Sequence, residues 1–244
     1  MATTKIIATR VQDYRSRKNI FASSGLLAKW PIIGLVMFLF GGLMFGGLTY
    51  NLLADGPLLK LDTFLANSLP AIGLQGPPIL KIIMEASFYI GNEVIIGLGV
   101  LVGFYFIIKK YWQQLAMLAL GLAGSTSLFM LLSSAIGRVR PSNQIWNIVK
   151  MPGFPSGHAI AVVVFYGLMA YLLAPNITSA FWKVIVVGGA IFIIGFVGFS
   201  RVFTGGHYLT DVLAGYAVGI AWSGVVYTLI EIYFQKRNTA QRNI

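Results

Sequence analysis

Two histidines are all that this 244-residue chain contains, and each stands in a segment rich in groups that handle anions. In FSRVFTGGHYLTD, residues 199–211, His207 and Asp211 are four apart. On a helix that spacing brings the two side chains to one face, where the carboxylate accepts from one ring nitrogen and the other faces outward. An oriented neutral imidazole can serve as a base, or as a nucleophile that itself carries the covalent intermediate. A capping pair near an interface would show the same spacing.

In FPSGHA, residues 154–159, Pro155 favours an extended approach, Ser156 is a strong N-cap residue and Gly157 leaves the backbone of the first turn unshielded. A helix N-terminus with free amides binds anions through its dipole and its N–H donors together, and His158 stands beside it. The plainer reading is that Ser156 only caps the helix and His158 is a polar anchor at the headgroup level. In IGRVRPSNQ, residues 136–144, Arg138 and Arg140 offer planar donors suited to phosphate oxygens, as does Arg201. Pairing with lipid headgroups explains Arg138 equally well. The chain has no cysteine, which removes thiolate nucleophiles, thiolate metal sites and disulfides.

The elements that must position these groups are apolar. The chain is 57% hydrophobic and 10% charged with a mean hydropathy of +0.79, far from an ordinary soluble domain. Six stretches approach the roughly 20 residues needed to cross a bilayer core: Trp30 to Leu53, Ser87 to Ile108, Gln113 to Ile136, Gly157 to Leu173, Phe181 to Phe199, and Tyr208 to Phe234. The expected fold is an all-α membrane protein, a six-transmembrane-helix bundle. Between its first two helices, ADGPLLKLDTFLANSLPAIGLQGPP is too interrupted to cross and is expected to form an interfacial helical segment. Residues 30–234 form one membrane domain, flanked by a basic tail, 1–29, and a short tail, 235–244.

The net charge of +11 arises from residues flanking apolar stretches rather than from one aromatic-interleaved stripe, so no nucleic-acid partner is expected. Twelve of the basic residues fall on one side if the six helices alternate, which predicts a multi-pass cell-membrane protein with both termini cytoplasmic. The three polar segments then converge on the opposite, extracytoplasmic face. Gly42 with Gly46, Gly215 with Gly219, and Gly97 to Gly103 are expected to serve close helix packing.

The order Arg140-Pro141, then Pro155-Ser156-Gly157-His158, then Ser200-Arg201 with five residues to His207 and three more to Asp211, resembles the three-part motif of the type 2 phosphatidic acid phosphatases. These lipid phosphate phosphatases include bacterial phosphatidylglycerophosphate and undecaprenyl pyrophosphate phosphatases. The resemblance implies hydrolysis of a lipid phosphate or diphosphate through a phosphohistidine on His207, with Asp211 orienting it and His158 protonating the leaving oxygen. Arg140, Ser156, Gly157 and Arg201 would hold the phosphate, with neither metal nor cofactor. The family's first motif begins with a lysine seven residues before its Arg-Pro, and Ser133 stands there. Arg138 or Lys150 could then supply the missing donor, or the protein could be a weak or inactive lipid-phosphate binder. A transporter is disfavoured, because the interiors of the first, third, fourth and fifth spans lack charges apart from Lys183 near an end.

Overall fold

The computed structural model describes residues 26–142 and 151–242. Lys150 and the tail residues 1–25 and 243–244 lie outside the described residues. A chain this apolar must satisfy its backbone hydrogen bonds internally, and among the described residues every regular element is a helix. They run α1 (Leu26–Lys29), α2 (Pro31–Leu53), α3 (Leu58–Gln75), α4 (Pro78–Gly91), α5 (Glu93–Lys109), α6 (Trp112–Ile136), α7 (Gly157–Leu173), α8 (Ala180–Phe203) and α9 (Leu209–Arg242). Proline opens α2 and α4, where a missing N–H costs nothing.

Among the described residues, six stretches are long and apolar enough to span a membrane: α2, α4 with α5, α6, α7 with the turn that follows it, α8, and most of α9. The second differs from expectation. It begins at Pro78 rather than near Ser87 and breaks at Asn92, between α4 and α5. Lys81 and Glu85 interrupt the apolar run that a sequence window detects, yet the backbone remains helical through them. The last helix also outruns its apolar stretch, so the expected tail from residue 235 continues α9 to Arg242. The segment between the first two spans forms α3 as expected, with Leu65 and Leu69 packed against Val202 and Val212.

Helix α9 is the most enclosed of the spanning helices and packs against α2, α6 and α7. The residues that permit this are partly those expected. A methyl at Gly215 would stand 2.6 Å from the Ser156 carbonyl oxygen, and one at Gly219 would stand 2.8 Å from the Val163 Cβ, so both serve close approach of α9 to α7. Gly42, Gly46 and Gly97 face open space instead. On α2 the close approach to α9 is made by Gly34, against Thr228 and Gly224, and by Gly41, against Ala217 and Ala221. The two pairs of expected glycines share one spacing, and only the neighbouring helix distinguishes them. Leu43, Phe40, Val100 and Phe192 point outward, the side available to acyl chains.

Candidate active site

Four chain segments meet at one end of the bundle: the exit of α6, the entry to α7, the exit of α8 and the entry to α9. Gly137 ends α6 with φ +66°, a left-handed cap that glycine adopts without strain. Arg138, Val139 and Arg140 follow without regular structure. Side chains alternate along such a strand-like run: Val139 is 82% exposed, while the two arginines turn inward. Gly205, at φ +71°, turns the chain after α8 and delivers His207 two residues ahead of α9. His207 and Asp211 therefore do not share a helix face as expected, since only Asp211 is helical.

They nevertheless meet. Asp211 Oδ2 accepts from the Tyr208 N–H at 2.9 Å, a capping interaction at the helix start, and lies 3.5 Å from His207 Nδ1. The shorter contact of Nδ1 is with the Gly153 carbonyl oxygen at 2.8 Å. On the far side of the ring, Arg140 Nη1 is 2.9 Å from Nε2. A carbonyl can only accept and a guanidinium can only donate, so these two neighbours together fix the tautomer. Nδ1 carries the proton and Nε2 keeps its lone pair, directed at the arginine that lines the cavity.

Burial pushes the His207 ring below the usual histidine value of 6.5, and Arg140 pushes the same way, while Asp211 and the Gly153 carbonyl oppose them. Burial also lowers Arg140 from 12.5, against the pull of Asp211. The net direction favours the neutral ring, the form that keeps the Nε2 lone pair.

A cavity of about 420 Å³ opens here, lined by His207, His158, Arg140, Arg201 and Gly157 on the polar side and by Phe88, Phe129 and Met130 among its apolar walls. Arg201, in the last turn of α8, donates from Nη2 to Ser87 Oγ at 3.0 Å and to Ser200 Oγ at 3.2 Å, and its guanidinium lies 5.0 Å from the centre of the Phe88 ring. These contacts hold its plane against the cavity wall. The His158 ring sits 5.0 Å from Phe88, at the first turn of α7. Two imidazoles, two guanidinium groups and a helix N-terminus thus face one space, an arrangement that attracts an anion and can pass a proton to it.

Three sequence expectations are relocated. The Ser156 hydroxyl is fully buried, makes no capping bond and is absent from the cavity wall; its backbone N–H instead donates to the Asp211 carbonyl at 2.9 Å, which ties the start of α7 to the start of α9. Arg138 is occupied by two carboxylates, Asp62 at 2.8 Å and Asp211 at 2.5 Å, rather than directed at the cavity. Ser133 is buried with its hydroxyl toward the Met130 carbonyl. Gly153, Thr210 and Asp62 were not legible as site residues. Gly153 had one indirect sign, its place between two prolines: a methyl there would stand 3.1 Å from Asp211 Oδ2 and 3.2 Å from Arg140 Cγ.

A buried, oriented histidine faces a doubly basic cavity at one end of the helical bundle, and the chain belongs to the PAP2 superfamily, whose family model matches residues 94–234. It is similar to phosphatidylglycerophosphatase B of Bacillus subtilis (strain 168), at 34% identity over 138 residues, 55% of this chain and 64% of that protein. It is also similar to the lipid A 1-phosphatase of Rhizobium johnstonii, at 34% identity over 110 residues, 41% of each chain. The chain thus spans less than two thirds of the length of either relative. Among solved structures it resembles the transmembrane PAP2-type phosphatidylglycerolphosphate phosphatase from Bacillus subtilis, with a TM-score of 0.67 and 27% identity, covering 83% of this chain and 96% of that one.

Proposed function

We propose that this protein is an integral-membrane phosphatase that removes phosphate from a lipid phosphate or diphosphate at the outer leaflet. The observation that carries the reading is the pairing of the His207 lone pair at Nε2 with Arg140 in a cavity that His158 and Arg201 also line. Family membership and the names of the two relatives, both lipid phosphatases, agree with it.

In the proposed reaction, His207 Nε2 attacks phosphorus, the bond from phosphorus to the lipid oxygen breaks, and His158 delivers a proton to that oxygen. Arg140, Arg201 and the amides at the start of α7 balance the charge that develops on the phosphoryl oxygens. The phosphohistidine ring keeps its Nδ1 proton, and the Gly153 carbonyl and Asp211 stabilise the positive charge. Water then gives a proton to His158 and attacks phosphorus, the P–N bond breaks, and inorganic phosphate leaves with His207 neutral again.

Helix direction supports the outer-leaflet reading. His158 opens α7 and His207 follows α8, whereas Lys109 and Lys110 close α5, Lys183 opens α8, and Lys236 and Arg237 lie in the last turns of α9, all at the other end of the bundle. The positive-inside bias favours that basic end as the cytoplasmic one.

The test is phosphate release from a panel of lipid phosphates and diphosphates by the purified protein in detergent with EDTA present. Release that resists the chelator, is inhibited by vanadate and is lost in His207→Ala is expected. Lipid binding that survives His207→Ala with no release by the wild type would establish a binding protein instead. Ser133→Lys belongs in the same assay: position 133 continues the α6 face of Phe129 and Met130, and a lysine there is expected to raise kcat.

A further inference from the structure

Asp62 lies on α3, outside the residues 94–234 that carry the family match, yet it is 1% exposed and hydrogen-bonded into the start of α9. Its Oδ1 accepts from the Thr210 N–H at 3.0 Å, and its Oδ2 accepts from the Thr210 hydroxyl at 2.5 Å and from Arg138 Nη2 at 2.8 Å. Arg138 Nη1 donates to Thr210 Oγ1 at 2.7 Å and to Asp211 Oδ1 at 2.5 Å, and its guanidinium lies 4.1 Å from the centre of the Tyr208 ring. The two oxygens of Asp211 are therefore divided: Oδ1 belongs to Arg138, and Oδ2 to the Tyr208 amide and His207.

We propose that Asp62 and Arg138 are positioning residues, a buried carboxylate–guanidinium strap that ties the surface helix α3 to Asp211 and thereby holds His207 in its nucleophilic geometry. Resting on the function proposed above, the inference assigns the strap no contact with substrate. Both side chains are nearly enclosed, and Arg138 directs Nη1 and Nη2 to protein acceptors. Two carboxylates and one guanidinium taken out of water are costly unless each is well bonded, and here, besides their own ion pair, Asp62 and Arg138 both bond to residues 210–211. A planar fork is what allows one side chain to serve Asp62, Thr210 and Asp211 together; a lysine, as a point charge, could not.

The strap also sets how much of the Asp211 charge reaches the ring. Among the described residues, the charged and titratable groups around His207 are Arg140 after α6, His158 on α7, Arg201 on α8 and Asp211 on α9. Asp211 is the anion in that set, and Arg138 stands behind it. Removing the Arg138 charge leaves Asp211 to act on His207 alone, which favours the imidazolium. Removing the Asp62 charge commits Arg138 wholly to Asp211, which disfavours it. A scaffold role alone would give no such opposition of sign.

The test uses full-length protein in detergent micelles labelled with [15N]histidine. With two histidines in the chain, a His158→Asn sample assigns both rings. The nitrogen shifts report tautomer and titration of His207, while phosphate release from dioleoyl phosphatidate micelles gives kcat and KM. Arg138→Gln is expected to raise the His207 titration midpoint and lower kcat by roughly 100-fold, the scale of an ångström-sized misplacement, with the Nδ1–H tautomer kept and KM little changed. Asp62→Asn is expected to move the midpoint the other way with a smaller loss of kcat. Thr210→Ala, which removes the bridging hydroxyl, is expected to lower kcat, and Thr210→Ser to restore it. If Asp62→Asn does not purify as a folded species, Arg138→Gln with the Thr210 pair decides the matter. An unchanged titration midpoint in Arg138→Gln, midpoint shifts of the same sign in both charge variants, or kcat losses that vanish when corrected for folded protein would overturn the strap. Expected shifts in His207 without phosphate release from any lipid by the wild type would leave the strap standing and sink the phosphatase reading.

Discussion

Gly215→Ala tests whether the close approach of α7 to α9 sets the geometry of the site. A methyl at position 215 would stand 2.6 Å from the Ser156 carbonyl oxygen and 2.7 Å from the Ala159 Cβ, where ordinary contact begins at 3.4 Å. The difference, about 0.8 Å, must be taken up by separation of the two helices, because backbone oxygen and Cβ atoms have no alternative rotamer and the interior is close-packed. The displaced segment carries Gly157 and His158, whereas His207 and Asp211 travel with α9. Misplacement of that size slows the reaction by on the order of 100-fold. Overpacking costs roughly 1–3 kcal/mol, partly offset by the gain of about 1 kcal/mol for alanine over glycine within a helix. A kcat reduced about 100-fold with a modest fall in thermal stability is therefore expected, measured by initial rates of phosphate release and a melting curve in the same detergent. Gly42→Ala, whose methyl meets nothing within 4 Å, is the control and should keep wild-type kinetics. A Gly215→Ala protein with wild-type kcat would refute the claim that this contact positions His158 against His207.

The pH dependence follows from the burial of His207. The ring must be neutral to attack, and its folded value lies below 6.5, so the acid limb of the kcat/KM profile should fall below pH 6.5, with activity lost as pH drops through the folded value. By the same sign, an unfolded chain takes up a proton that the folded ring does not, so folded-state stability should decline as pH falls below 6.5; thermal melts on either side of that value would check this. Arg140→Lys removes a fork whose Nε donates to the Met151 carbonyl and whose Nη1 donates to the Gly206 carbonyl, both at 2.8 Å, besides touching His207. The charge remains but its direction is lost. On the scale of one missing oxyanion donor, turnover in the same phosphate assay is expected to slow by roughly 100- to 1,000-fold.

The helical class and the six spans are determined by the sequence alone, because hydropathy acts on windows of about 20 residues and requires no knowledge of neighbours. The two histidines, Arg140 and Arg201 were legible for a related reason: charged and titratable groups beside apolar runs are scarce enough to stand out. Everything that depended on which surface faces which was decided by the tertiary structure. Gly42 and Gly215 have the same local pattern, yet only Gly215 lies against another helix. Arg138 and Arg140 are two residues apart with identical side chains, but the turn at Gly137 and the placement of α3 give one to a pair of carboxylates and the other to the cavity. Asp62 had no sequence sign at all, since a lone carboxylate on a surface helix is ordinarily solvated and becomes a buried partner only when 148 residues of chain bring Thr210 to it. Composition fixes the solvent each segment prefers, whereas the partner of a polar group depends on close packing between segments distant in sequence.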